Sequence, residues 1–142
     1  MESSNDILER LKGKGCRFTR TRKAILDLIL TAGESFSARE LSEKLAKSKV
    51  SINKATLYRE LAFLREEKVI RELSLCDKVR RYEAMTEHKH CHAVCVKCHR
   101  VECVELEEET ILANKKAGAG KNFKVLDVSM EISGLCCDCD KD

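Results

Sequence analysis

The chain has 142 residues, 43% apolar but only 4% aromatic, with a formal net charge of +3. That length makes one ordinary domain or two small ones sharing an interface, and no apolar run reaches the roughly 18 residues that cross a bilayer, so no membrane role is expected. Nine cysteines are an odd number for a disulfide framework, and the opening MESSNDILERLKGKG lacks a basic-then-apolar signal pattern, which together point to free thiols in a cytoplasmic protein, available to a metal.

The charge is unevenly placed. Residues 1–82 hold 19 Lys and Arg against 12 Asp and Glu, a balance of +7, whereas residues 83–142 hold 8 against 12, a balance of −4. A basic half suits a polyanion, and an acidic half rich in Cys, His and Glu suits a cation; the bland alternative is a solvated surface of uneven charge.

In chain order, a short helix is expected from Asn5 to about Lys12. Thr19 then caps RTRKAILDLIL, where Ala24, Ile25, Leu28 and Ile29 recur at helical spacing and Gly33 ends the run. Ser37 caps ARELSEKLA, with Glu40 three residues on as a capping box and Leu41 and Leu45 on one face. Ser51 or Asn53 caps KATLYRELAFLREEK, whose inward stripe is Leu57, Leu61 and Leu64. VIRELSLCDKVRRYEAM alternates on both sides of CDK and reads as a two-stranded hairpin.

Three helices followed by a hairpin make a winged helix-turn-helix, with residues 1–82 as the DNA-binding domain. The helix from Asn53 to Glu67 is the recognition element. With its leucines inward, Lys54, Thr56, Tyr58 and Arg59 face outward near its N-terminus, chemically suited to base edges and phosphates. Arg17, Arg20, Arg22 and Lys23 gather upstream and add to the basic surface. The competing reading makes Tyr58 an aromatic at the core edge and Arg59 half of a surface ion pair with Glu60 or Glu66.

The chain contains no proline and no Gly/Ser-rich linker, so the break between halves is short and falls within residues 83–89. Beyond it, residues 90–142 form a small α/β unit. HAVCVKC and RVECVEL are strands flanking a tight knuckle, EETILANKKAG is a modest helix ending at Gly118, and FKVLDVSMEIS is an alternating strand.

Cys95 and Cys98 are separated by two residues, as are Cys136 and Cys139. Two such pairs on separate turns can close a tetrahedral thiolate shell around structural Zn2+. A redox dithiol would need one pair only, and Cys137 leaves the register of the second pair open. His90 and His92 alternate on one strand and share a face; with Glu83 on the preceding segment they offer two nitrogens and a carboxylate oxygen, a set that suits Fe2+, Mn2+ or Zn2+. His88 and His99 read as plain surface histidines.

Taken together, RFTRTRKAIL, SINKATLYRELAFL, RYE, HKHCHAVCVKC and SGLCCDC resemble the ferric uptake regulator (Fur) family of repressors along nearly the whole chain. The resemblance implies a cytoplasmic bacterial homodimer with an N-terminal winged helix and a C-terminal dimerisation domain, an α+β protein. It implies structural zinc at Cys95, Cys98, Cys136 and Cys139, a regulatory site near the hinge that includes Glu83, His90 and His92, and DNA contacts by Tyr58 and Arg59. The chain departs from the family pattern at Cys103, at Glu34 and Ser35, at Lys89 and Val128, and at Arg20. The acidic ligand expected after the knuckle is Cys103, which joins the regulatory set. Glu34 and Ser35 replace a histidine before the second core helix, leaving Glu34 as a further possible ligand. Lys89 and Val128 stand where some relatives place extra histidines, so that additional metal site is not expected. Arg20 replaces a usual proline.

The expected function is a metal-responsive repressor, not an enzyme, acting as a homodimer on a palindromic double-stranded operator with iron, peroxide or another divalent metal as input. The alternative is a thiol-based redox protein or sensor using Cys16, Cys76, Cys91, Cys103 and Cys137, although no activated nucleophile or substrate pocket is legible.

Overall fold

The computed structural model describes residues 4–75, 78–85, 90–107, 109–110, 124 and 130–141. Its contacts divide the chain into two compact units, residues 1–87 and 88–142.

The first unit runs α1 (Ser4–Gly13), α2 (Arg20–Ala32), β1 (Phe36–Ser37), α3 (Ala38–Lys47), α4 (Lys54–Glu66), β2 (Ile70–Ser74) and β3 (Arg80–Ala84). The expected caps all form. Thr19 Oγ1 accepts from the Arg22 amide, Ser37 and Glu40 make the reciprocal capping box, and Asn53 Oδ1 accepts from the Thr56 amide. Gly33 closes α2 in the left-handed region at φ 63°, where a side chain would be strained. These local bonds set where each helix starts, and the apolar stripes set how the helices pack.

The stripe of α2 is wider than its spacing suggests. Ile25, Leu26 and Ile29 are fully buried while Ala24 and Leu28 are only partly so, because α2 packs against α1, α3 and β3 rather than one neighbour. Leu41 and Leu45 of α3 and Leu57, Leu61 and Leu64 of α4 complete the interior with Phe36, Ile70 and Tyr82. Phe36 belongs to β1, a strand the sequence does not announce. It pairs antiparallel with β3, Phe36 opposite Tyr82, giving a sheet in the order β1-β3-β2. Glu40 then ties helix to sheet: its carboxylate accepts from the Ser37 amide at 2.8 Å and from Arg81 at 3.1 Å.

The second unit contains β4 (His90–Cys95), β5 (Val101–Glu105) and β6 (Glu131–Gly134), with β4 central, antiparallel to β5 and parallel to β6. Of the helix expected over 108–118, only Glu109 and Thr110 are described, and of the strand over 123–133, only Lys124 and residues 130–133; the remainder, with Cys76, His88, Lys89 and Val128, lies outside the described residues. Among those described, burial in this unit is confined to Cys91, His92, Val94 and Cys95, so little apolar interior is on view.

Candidate metal centres and nucleic-acid face

The candidate recognition surface is built on α4. Its core leucines recur at three- and four-residue intervals, which turns Lys54, Tyr58 and Arg59 outward as exposed side chains and leaves Thr56 half-buried. Tyr58 is 40% exposed and lines, with Ser42, Glu43 and Lys54, a cleft of about 350 Å³ between α3 and α4. The ion-pair alternative for Arg59 loses one partner, since the Glu60 carboxylate is taken by Arg22 through two hydrogen bonds of 2.7 and 3.2 Å. Arg17 and Arg20 are exposed at the start of α2.

Arg22 does not join that surface. It is turned inward, its guanidinium 3.9 Å from the Phe63 ring centre, and it donates to the Arg17 carbonyl at 2.6 Å. This corrects its placement in the basic cluster upstream: Arg22 holds the loop bearing Arg17 to the recognition helix. The sequence shows only its charge, because Glu60 lies 38 residues away.

The four cysteines of the two Cys-x-x-Cys turns come together with all their sulfurs within 4.8 Å of one another. Tight turns place them. His99 donates its amide to the Cys95 carbonyl and Cys139 to that of Cys136, each at 2.9 Å, and the Val96 amide reaches the Gly134 carbonyl at 2.9 Å, joining the turns. The Cys98 and Cys136 sulfurs are 3.6 Å apart. A zinc ion about 2.3 Å from each sulfur would set tetrahedral edges of about 3.8 Å, close to the Cys98–Cys136 separation, so the four sulfurs suit structural zinc.

The electrostatics agree with a metal-binding thiolate shell. Backbone amides at Cys136 and Cys98 pull the Cys95 thiol down to about 6. Hydrogen bonding to Cys136, with burial, pushes Cys139 up to about 12. For Cys98 the Arg100 amide favours the thiolate, but the Cys95 and Cys136 sulfurs and burial outweigh it and raise the pKa. Without metal, Cys95 is therefore the ready thiolate, while Cys98 and Cys139 hold their protons.

On the adjoining strands, His92 faces Cys103 across the β4/β5 ladder and Glu131 across the β4/β6 ladder. His90 and His92 share a face with their ring centres 5.1 Å apart, and one donor atom from each of His90, His92 and Cys103 lies within 4.8 Å of the others. His92 is buried, His90 half-buried and Cys103 exposed. Glu83 stands on β3 of the first unit, 3% exposed, its carboxylate engaged by the guanidinium of Arg71. Glu34 is exposed before β1, 3.9 Å from the Lys44 ammonium. The eight described cysteines form no disulfide; Cys16 packs against the core, Cys91 is buried and Cys137 is exposed.

A winged helix with an outward recognition face, followed by a small sheet carrying a thiolate shell and a His/His/Cys donor set, defines a DNA-binding transcription regulator of the metal-responsive class. The chain belongs to the ferric uptake regulator family, which it matches over residues 13–133. It is 31% identical over 139 residues to the peroxide operon regulator of Bacillus subtilis, covering 96% of this chain and 92% of that one. It is 29% identical over 139 residues to the ferric uptake regulation protein of Synechocystis, covering 94% and 83%. The fold matches that of the Helicobacter pylori ferric uptake regulator with a TM-score of 0.84 at 22% identity, covering 99% of this chain and 96% of that one. Proteins of this family are transcription regulators and not enzymes, and the redox-protein alternative is not favoured.

Proposed function

We propose that this chain is a cytoplasmic homodimeric repressor whose grip on a palindromic operator is set by a divalent metal. Residues 1–82 read double-stranded DNA through Lys54, Thr56, Tyr58 and Arg59, with Arg17 and Arg20 on the flanking backbone. Residues 83–89 act as a hinge, and residues 90–142 carry the metals and the dimer contact. Cys95, Cys98, Cys136 and Cys139 hold structural Zn2+. Among the described residues no helix is long and apolar enough to cross a membrane.

The observation that carries the proposal is the convergence of His90, His92 and Cys103 donor atoms on one sheet, beside but separate from the thiolate shell. These three, with Glu83 completing the set and Glu34 the next choice, form the regulatory site for Fe2+, Mn2+ or Zn2+. Bound metal supplies a crosslink among these donors, and it shifts operator affinity only as far as it favours one arrangement of the chain over another. Each protomer presents one recognition helix, so a two-fold dimer reads an inverted repeat. The relatives include an iron-uptake and a peroxide regulator, which makes iron level and peroxide the two inputs to compare.

The test is binding to an inverted-repeat operator titrated with Fe2+, Mn2+ and Zn2+, with and without peroxide. At least one metal should tighten binding about 10-fold or more, and peroxide should reverse the iron response if oxidation is the input. Indifference to all three metals in protein that retains its structural zinc sinks the metal-gated reading.

A further inference from the structure

The two Cys-x-x-Cys turns are linked by more than their sulfurs. Arg100 lies two residues after Cys98, and Asp138 lies between Cys136 and Cys139. The guanidinium Nη2 of Arg100 meets the Asp138 carboxylate at 2.8 Å, so one end of this ion pair is anchored on each turn. The Arg100 carbonyl also accepts from the Cys95 amide at 2.9 Å, which ties the residue into the first knuckle. Arg100 also lines one cleft with Cys95 and Cys136, and Asp138 and then the Cys136 and Cys98 sulfurs raise its pKa.

We infer that Arg100 and Asp138 form a latch across the thiolate cluster, a positioning pair that holds the two turns at metal-binding separation and sets a limit on zinc loss. The inference rests on the zinc reading of the four cysteines. Four thiolates around Zn2+ leave a net charge of −2, and the latch adds a cation beside that charge without adding net charge of its own. An isolated ion pair exposed to this degree, 46% and 58%, would contribute little. Here its setting differs, because Arg100 holds the carboxylate while lining one cleft with Cys95 and Cys136.

The pair is therefore asymmetric. Removing Arg100 leaves the Asp138 carboxylate beside a dianionic centre, so both the tether and the charge balance are lost. Removing the Asp138 charge breaks the tether but leaves Arg100 with the sulfurs. Removing both restores the starting charge while losing the tether. The order of zinc retention follows: wild type, Asp138→Asn, the double variant, Arg100→Ala.

The experiment measures zinc release from the full-length protein to a chromogenic chelator, after zinc content has been determined. Arg100→Ala should release zinc about 10-fold faster than wild type, on the scale typical of groups that orient metal ligands. Arg100→Lys should recover most of that loss because it restores the charge. The gap should narrow at about 1 M salt, where the screening length is about 3 Å. One zinc per wild-type chain with an unchanged release rate in Arg100→Ala overturns the latch and leaves the zinc site standing. Faster release that neither salt nor lysine alters makes Arg100 a purely steric element and overturns the latch as well. Wild-type protein without zinc overturns both the latch and the reading beneath it.

Discussion

On the proposed assignment, Cys103 is the residue that sets the regulatory site apart from the family pattern. It lies exposed on β5 opposite His92, so burial as a small apolar side chain does not account for it. A thiolate is a softer donor than the carboxylate the family pattern expects, and with two imidazoles it favours zinc or iron over manganese. Cys103→Asp should keep repression, move metal preference towards Mn2+, and lower sensitivity to thiol oxidants, because a sulfur open to sulfenic acid formation is gone. Operator binding by wild type and variant, titrated with each metal and with oxidant, decides the matter. Identical metal preference and oxidant response would remove Cys103 from the site.

At the level of elements, α4 separates function from stability within two adjacent residues. Arg59 points out and Glu60 points in, bonded to Arg22 with side-chain exposures of only 12% and 13%. Arg59→Ala should weaken specific operator binding by about 1–3 kcal/mol and leave the melting temperature alone. Glu60→Ala should do the reverse first: it strands a half-buried guanidinium and should cost about 2–3 kcal/mol of stability, read in a denaturant titration of the metal-loaded protein. Equal effects of the two substitutions on both readouts would refute this division of the helix. Much of the element plan was legible because it is local. Thr19, Ser37 with Glu40, and Asn53 each act within three residues, and the leucine stripes follow a fixed period. What was not legible is long-range. β1 exists because Phe36 and Ser37 find Tyr82 and Arg81 far along the chain, and Arg22 is turned inward by Glu60 and Phe63. The same holds for the candidate sites. Pairing of the cysteines follows from two equal spacings, whereas the Arg100–Asp138 contact joins residues that carry no shared motif.

For the molecule as a whole, the two units are held together internally by different means. The first has a leucine-rich interior supplied by helices and sheet alike. Among its described residues the second buries Cys91, His92, Val94 and Cys95, and the cysteine cluster adds metal binding to what stabilises it. Structural zinc in small modules contributes on the order of 10 kcal/mol, so Cys98→Ser should release zinc and loosen the second unit while the first stays folded. That contribution depends on pH in a direction fixed by the thiols. Cys139, raised to about 12, and Cys98, also raised, hold protons near neutrality that zinc must expel, whereas Cys95, lowered to about 6, is already ionised. A depressed thiol contributes its stabilisation above the ordinary thiol range and loses it as pH falls through about 6, and protons compete with zinc at every sulfur as pH falls. Zinc should therefore be held against chelator near neutrality and lost progressively as the pH falls, because each sulfur must take a proton as it lets the metal go. Calorimetric zinc titrations in buffers of different ionisation enthalpy should also show at least the protons of Cys98 and Cys139 leaving as the metal enters. Zinc uptake near neutrality with no proton release would show that the sulfurs are not the ligands.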